Sequence, residues 1–290
     1  MSKNSDAVSD SRLQAGEFYG EVLNRRDCSG LVLSEVSYKI GRKLPEHSHQ
    51  LAYFCLLIEG DYAEYQGSKT YQYKPLSIMF HPPGSEHRDE IGSQGGRFFT
   101  VELSLDWMER MEKYAPVPNT IMDLEGGDLA WLALRLFREI RSPHTCSPLA
   151  VEGLVMTMLA ELGRTRATNE RPAPRWLTQA INLLRAEFNQ NLTIDRVASE
   201  VGIHPFHLSK VFRRFHQQTV GEYVKRLRVQ FACRELFDPE RELASVALAA
   251  GFADQSHFTR AFREITGMTP GSFRIAIKTR RTLELLDYES

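Results

Sequence analysis

Two sets of side chains in this 290-residue sequence have types and spacing that could do chemistry. The first occurs twice. Phe206, Ser209, Lys210, Arg213 and Arg214 lie opposite an apolar stripe of Leu208, Val211, Phe212 and Phe215. Gln255, Ser256, Thr259, Arg260 and Arg263 lie opposite Phe258, Ala261, Phe262 and Ile265. Spacing of i, i+3, i+4, i+7 puts each stripe on one face of a helix and the polar set on the other. Arg, Lys, Gln, Ser and Thr are the side chains that reach base edges and phosphates in a major groove. A solvated helix face would use the same residue types, but two independent copies of the pattern argue for nucleic-acid recognition. The second set is His47, His49 and His87, whose imidazoles can ligate a metal or hydrogen-bond within a pocket.

Positioning the first set requires a duplicated module. Val197-Ala198 and Gly202-Ile203 recur as Val246-Ala247 and Gly251-Phe252, and Leu208, Phe212, Arg213, Gly221 and Tyr223 recur as Phe258, Phe262, Arg263, Gly271 and Phe273. Each copy reads as helix, tight turn, helix. In the first, Thr193 can cap a short helix over Ile194 to Val201, Gly202 can supply the left-handed turn, and Pro205 suits the first turn of the next helix. In the second, Gly251 ends the short helix and Asp254 can cap its successor. Thr219 and Glu222 have capping-box spacing, which starts a bridging helix that should stop at Asp238-Pro239. About 19 residues at 1.5 Å each span roughly 28 Å. That is near the ~34 Å between successive major-groove faces, so one chain could place both second helices in adjacent major grooves.

The histidines lie in different texture. Residues 18–103 carry short runs rich in Tyr, Phe, Val and Leu, punctuated by Gly and Pro, which predict strands such as Leu31–Tyr38, Tyr53–Ile58 and Phe98–Leu103. Beyond Leu105 the pattern turns helical, with amphipathic stretches at Asp128–Ile140 and Pro148–Leu162 that either pack on the strands or form a dimer interface. The polar stretch 166–174, with two prolines, reads as a linker.

Charge follows this division. Residues 171–290 hold 18 Lys+Arg against 13 Asp+Glu, whereas the whole chain has a net charge of −1. A basic segment in a near-neutral chain suits a polyanionic partner. No apolar run is long enough to span a membrane, and the polar start lacks a signal-peptide pattern. Four scattered cysteines fit a reducing, cytoplasmic compartment. There is no phosphate-cradling Gly-rich loop, and no Ser/His/Asp set has motif context.

Residues 176–275 resemble the DNA-binding domain of the AraC/XylS transcription regulators. The resemblance is carried by Gly251-Phe252, Phe258, Phe262-Arg263, Gly267-Met268-Thr269-Pro270 and Phe273-Arg274. It implies two helix-turn-helix units binding promoter DNA, with base contacts from Phe206, Ser209 and Lys210 in the first unit. In the second unit it points to Gln255, Ser256, Thr259 and Arg260. His204-Pro205 departs from the usual polar residues at that helix start. Gly41, His47-Ser48-His49, Tyr53 and Gly60 resemble the first cupin motif, and Pro82-Pro83-Gly84-Ser85-Glu86-His87 the second. This resemblance implies a small β-barrel. In metal cupins two His, a Glu and a later His meet on one ion. Here His47, His49 and His87 match, while Tyr53 stands at the Glu position, and Leu76 and Ile91 replace the usual Gly and Asn.

The expected fold class is α+β: an N-terminal cupin-like β-barrel with a helical extension, and a C-terminal all-α double helix-turn-helix domain. The expected boundaries are a disordered 1–17, a sensor barrel over 18–104, a helical dimerisation or packing segment over 105–165, the linker 166–174, the DNA-binding domain 175–281 and an acidic tail 282–290. The expected function is a non-enzymatic, cytoplasmic, DNA-binding regulator, an activator by family habit. DNA contacts fall to Phe206, Ser209, Lys210, Arg213, Gln255, Ser256, Thr259 and Arg260. An effector pocket is expected at Tyr38, His47, His49, Tyr53, Phe80 and His87, with a small-molecule effector, a homodimer partner and contact with RNA polymerase. No cofactor is expected, and His47, His49 and His87 are the metal candidates if one is held. The rival reading is a metal-dependent cupin enzyme with an accessory DNA-binding domain.

Overall fold

The computed structural model describes residues 11–114, 117–124, 128–141, 144–145, 147–169 and 173–278. The tail at 282–290 and residues 1–10 lie outside them. The chain divides into two units, one of residues 1–125 and 142–156, the other of residues 126–141 and 157–290.

The N-terminal unit is built from strands β1 (Arg12–Leu13), β2 (Glu21–Cys28), β3 (Leu31–Tyr38), β4 (Ser48–His49), β5 (Ala52–Gln66), β6 (Lys69–Tyr73), β7 (Ile78–His81) and β8 (Arg88–Leu103), then helix α1 (Leu105–Glu112) and strand β9 (Met122–Asp123). Seven strands form one antiparallel sheet in the order β2-β3-β8-β5-β7-β9, with β6 also on β5. The expected barrel is therefore met only as an antiparallel sheet, because among the described residues the pairing path does not close on itself. β1 and β4 form a separate parallel pair, held by Ser48 N–H to Ser11 O and Gln50 N–H to Leu13 O. Residues 11–17 thus belong to the folded unit, contrary to the expected disorder, since Ser11 O and Leu13 O accept in this pairing and the Gly16 N–H donates to Glu102.

β5 and β8 are long enough to bend together. Their register shifts between Leu57 and Glu59 and again between Gly60 and Tyr62. Gly60 sits at φ +90°, and a Cβ there would fall 1.9 Å from Gly95 O. No other residue fits where the two backbones cross so closely. Strand alternation then sorts β5 into two buried faces. Tyr53, Cys55, Leu57 and Tyr62 join Tyr73, Met79, Ile91 and Phe98 in one cluster. Phe54 turns the other way, against Phe80, with ring centroids 5.0 Å apart.

Glu102, near the end of β8, accepts the Gly16 N–H at 2.8 Å, while its buried Oε1 has no hydrogen-bond partner. Burial pushes this carboxyl up to about 7, against an ordinary value of 4.5. Between those values the folded unit binds a proton that the unfolded chain has released. Its stability contribution is present below pH 4.5 and is lost as pH rises through about 7. Glu102→Gln keeps the acceptor for Gly16. It is expected to flatten that part of the pH dependence in urea unfolding compared at about pH 5 and about pH 7.5. An unaltered pH dependence would place the titration elsewhere.

The C-terminal unit contains α2 (Asp128–Arg141), the later part of α3 (Ser147–Asn169), α4 (Arg175–Glu187), α5 (Ile194–Glu200), α6 (Pro205–His216), α7 (Val220–Glu235), α8 (Leu243–Ala249), α9 (Gln255–Thr266) and α10 (Pro270–Lys278). α3 continues through Asn169, so the expected linker is helical over 166–169; no helix breaker precedes Pro172. α2 makes polar contacts within the C-terminal unit. Arg138 donates to Gly267 O at 3.1 Å, Arg141 donates to Ala276 O at 2.8 Å, and Asp128 pairs with Arg226. Three arginines thus dock α2 on α7, α10 and the end of α9.

Local chemistry accounts for the two helix-turn-helix units. Thr193 accepts from Arg196 N–H, Asp254 accepts from His257 N–H, and Thr219 with Glu222 completes a reciprocal capping box. Gly202 and Gly251 take φ +68° and +83° at the two turns. The first unit closes over Leu177, Ala180, Leu184, Val197, Ala198, Leu208 and Phe212. In the second, Phe252, Phe258, Phe262 and Phe273 form a chain of ring contacts at 5.4 to 5.5 Å. α7 has 16 residues and ends at Glu235. It is therefore shorter than the expected bridge, at about 24 Å. From it Arg228 donates to Phe188 O and Gln190 O at 2.8 and 2.9 Å, with its guanidinium 5.9 Å over the Phe252 ring. Gly251 packs directly on the backbone of Asn189. The two helix-turn-helix units are consequently tied into one body.

Candidate functional site

α6 and α9 are equivalent helices with equivalent outward faces. On α6, Phe206, Lys210, Arg213 and Arg214 are exposed, Phe206 at 73%, while Leu208 and Phe212 are fully buried. On α9, Gln255, Ser256, Arg260 and Arg263 are exposed, while Phe258 and Phe262 are fully buried. Lys210 and Arg260 form no ion pair among the described residues, so both cations are available to a partner. Ser209 and Thr259 occupy matching places and are partly exposed. Each hydroxyl donates to the carbonyl four residues back, Pro205 O at 3.0 Å and Gln255 O at 2.8 Å. Its oxygen is left as an acceptor. His204 serves the fold instead, because its Nδ1 accepts the Phe206 N–H at 3.3 Å and so caps α6 ahead of Pro205. All eight residues expected to contact DNA therefore lie on α6 or α9, none of them within the core.

The second site lies inside the N-terminal unit. His47 and His87 exchange backbone hydrogen bonds at 2.9 Å in both directions, which brings the two histidine segments together. One ligand atom from each of His47, His49 and His87 lies within 4.8 Å of the other two. His47 Nδ1 and His87 Nδ1 lie 2.9 and 3.1 Å from Pro45 O and Ser85 O. A carbonyl can only accept, so both Nδ1 atoms carry the proton and both Nε2 atoms present lone pairs. Burial lowers the pKa of all three imidazoles, with His87 down to about 3, so they are neutral near pH 7.

A cavity of about 40 Å³ is lined by these histidines together with Tyr38, Tyr53, Glu64, His81 and Asp89. Of the residues expected in an effector pocket, Tyr38, His47, His49, Tyr53 and His87 meet here, and Phe80 does not. The β5–β7 register explains this: Phe80 pairs with Phe54 and His81 with Tyr53. Alternation therefore turns Phe80 away and His81 in, with its ring stacked 4.5 Å from that of Tyr53. His81, Glu64 and Asp89 were not anticipated. His87, just before β8, and Asp89, within it, are two residues apart in extended chain, a period-two signal that could have revealed Asp89. Glu64 accepts from His81, Tyr62 and Gln66 at 3.1, 3.2 and 2.7 Å. Its burial opposes ionisation, but His81 beside it holds the carboxyl down at about 2.

Comparison with known proteins agrees with the helical geometry. A family profile described as a helix-turn-helix domain matches residues 197–276. The probable transcription factor PqrA of Proteus vulgaris is 35% identical over 86 residues, covering 30% of this chain and 70% of that one. The regulatory protein SoxS of Salmonella typhimurium is 34% identical over 94 residues, covering 32% and 88%. The uncharacterized HTH-type transcriptional regulator YfiF of Bacillus subtilis is 27% identical over 253 residues, covering 80% and 79%. Twin capped helix-turn-helix units with these relatives define a DNA-binding transcription regulator. The chain belongs to the AraC family. Among the described residues no helix is long and apolar enough to cross a membrane.

Proposed function

We propose that the chain binds promoter DNA sequence-specifically, α6 and α9 each entering a major groove. The contacts would come from Phe206, Ser209, Lys210 and Arg213 on one helix and Gln255, Ser256, Thr259 and Arg260 on the other. The observation that carries this reading is the pair of matching exposed polar faces on helices of the same length, 12 residues each. Beneath it, the Arg228 and Gly251 contacts hold the two helices in fixed relation, which pre-pays the ordering that binding would otherwise cost. The N-terminal unit is the sensing part, acting in a homodimer. Activation, through contact with RNA polymerase, is the mode that family membership suggests.

The test is fluorescence anisotropy of the full chain on genomic fragments, followed by footprinting of the bound sites. Lys210, Arg213, Arg214, Arg260 and Arg263 are exposed on the two helices. Non-specific affinity is expected to fall on the order of 100-fold between about 50 and 200 mM salt, as these cations displace counterions. Binding indifferent to salt, or no binding, would refute the proposed interface.

A further inference from the structure

The cavity in the N-terminal unit is of an unusual size for a sensor. Pockets for organic ligands run to about 300–1,000 Å³. About 40 Å³ of space for water centres, at ~10–15 Å³ for each ordered water, holds only a few waters. A cavity this small, lined by four histidines and two carboxylates, suits an ion.

Two buried polar atoms on side chains lining this cavity lack partners. His49 is 5% exposed, and its Nδ1 has no hydrogen-bond partner. Asp89 Oδ1 is buried with none either, and Asp89 pairs with no Lys or Arg among the described residues. Its other oxygen, Oδ2, stands 4.0 Å from His47 Nε2 and 3.9 Å from His87 Nε2, facing both lone pairs across a gap. The Tyr53 hydroxyl donates to His87 Nε2 at 3.3 Å, but it leaves the Asp89 carboxyl without a counter-charge, and a buried carboxylate of that kind is costly. A dication in the gap removes that penalty. Nitrogen ligands 2.0–2.1 Å from a tetrahedral ion lie about 3.3–3.4 Å apart, so closing the site takes less than about 1 Å of movement per side chain. Glu64 is not the acid concerned, since His81, Tyr62 and Gln66 already engage it. Tyr53 carries a neutral phenol at the position where metal cupins place Glu.

We propose that the N-terminal unit binds a divalent transition-metal ion through His47, His49, His87 and Asp89, with the carboxylate supplied two residues after the last histidine. Three imidazoles and one carboxylate make a set suited to zinc, iron, nickel or copper. The inference rests on the reading of this unit as the sensing part only for what the ion is for; recognition by α6 and α9 is independent of it.

The test titrates metal-free full-length protein with Co²⁺, following visible absorption and stoichiometry. One ion per chain is expected. Asp89→Asn, close in shape, should weaken binding by at least ~10–100-fold, the loss that follows removal of even a supporting group. Tyr53→Phe should stay within a few-fold of the parent. X-ray absorption at the zinc edge of the unsubstituted protein reads the ligands directly, and should show three imidazoles and carboxylate oxygen. Substoichiometric cobalt, unchanged affinity in Asp89→Asn, equal loss in Tyr53→Phe, or fewer than three imidazoles each overturns the proposal. Failure to bind cobalt in a chain that still binds promoter DNA overturns this inference alone.

Discussion

Gly251→Ala is expected to destabilise the C-terminal unit by about 3 kcal/mol or more, and Gly202→Ala by only about 1 kcal/mol. The two glycines hold the same place in the two helix-turn-helix units and have similar left-handed backbones, φ +68° for Gly202 and +83° for Gly251. Giving either a Cβ incurs the left-handed penalty of roughly 1–2 kcal/mol. Their surroundings separate them. A Cβ on Gly202 meets nothing within 4 Å, whereas one on Gly251 would lie 2.4 Å from Asn189 O and 2.7 Å from Asn189 Cα. Both are backbone atoms, so relief requires the second unit to move off the segment after α4, adding an overpacking cost of about 1–3 kcal/mol. The same shift would drag Phe252 from beneath Arg228. Urea unfolding of the two variants measures the difference. Equal losses would show that the Gly251–Asn189 approach is not what locks the units together.

The second large effect is on recognition. Arg260→Ala should cost about 1–3 kcal/mol on the specific operator, roughly 5- to 150-fold in affinity, and relax preference at one base position. Arg can bond a guanine edge through two parallel donors, whereas Lys is a single flexible point charge. Lys210→Ala should therefore weaken specific and non-specific binding more evenly, lowering the salt slope by about one. Both residues are exposed, between buried pairs: Phe258 and Phe262 around Arg260, Leu208 and Phe212 around Lys210. The melting temperature should hardly move. Unfolding by Arg260→Ala, or an operator preference left intact, would mean this face of α9 does not read bases.

How legible each part was depends on the range of the interactions that made it. The duplicated module could be read because its determinants are local. Caps at Thr193, Thr219 and Asp254 act within three residues, Gly202 and Gly251 act on their own φ, and the apolar stripes recur within two helical turns. Such signals fix which helix faces are polar without knowledge of what lies beneath them. In the N-terminal unit they give strand texture and little more. Phe80 was expected in the pocket and His81 was passed over, because one residue of register decides which face each takes, and the register comes from pairing with β5, far away in sequence.

By itself, then, the sequence determined the DNA-binding class, the two polar helix faces and the meeting of His47, His49 and His87. Only the tertiary structure decided that Asp89 joins them, that Glu64 is taken by His81, and that α2 docks on the second helix-turn-helix unit. It also made two glycines of one repeat unequal, since only Gly251 faces a neighbouring backbone. The physical reason is common to all four. A repeat or a period constrains neighbours along the chain, whereas a buried charge, a shared proton or a backbone approach is set by groups that meet only once the chain has folded.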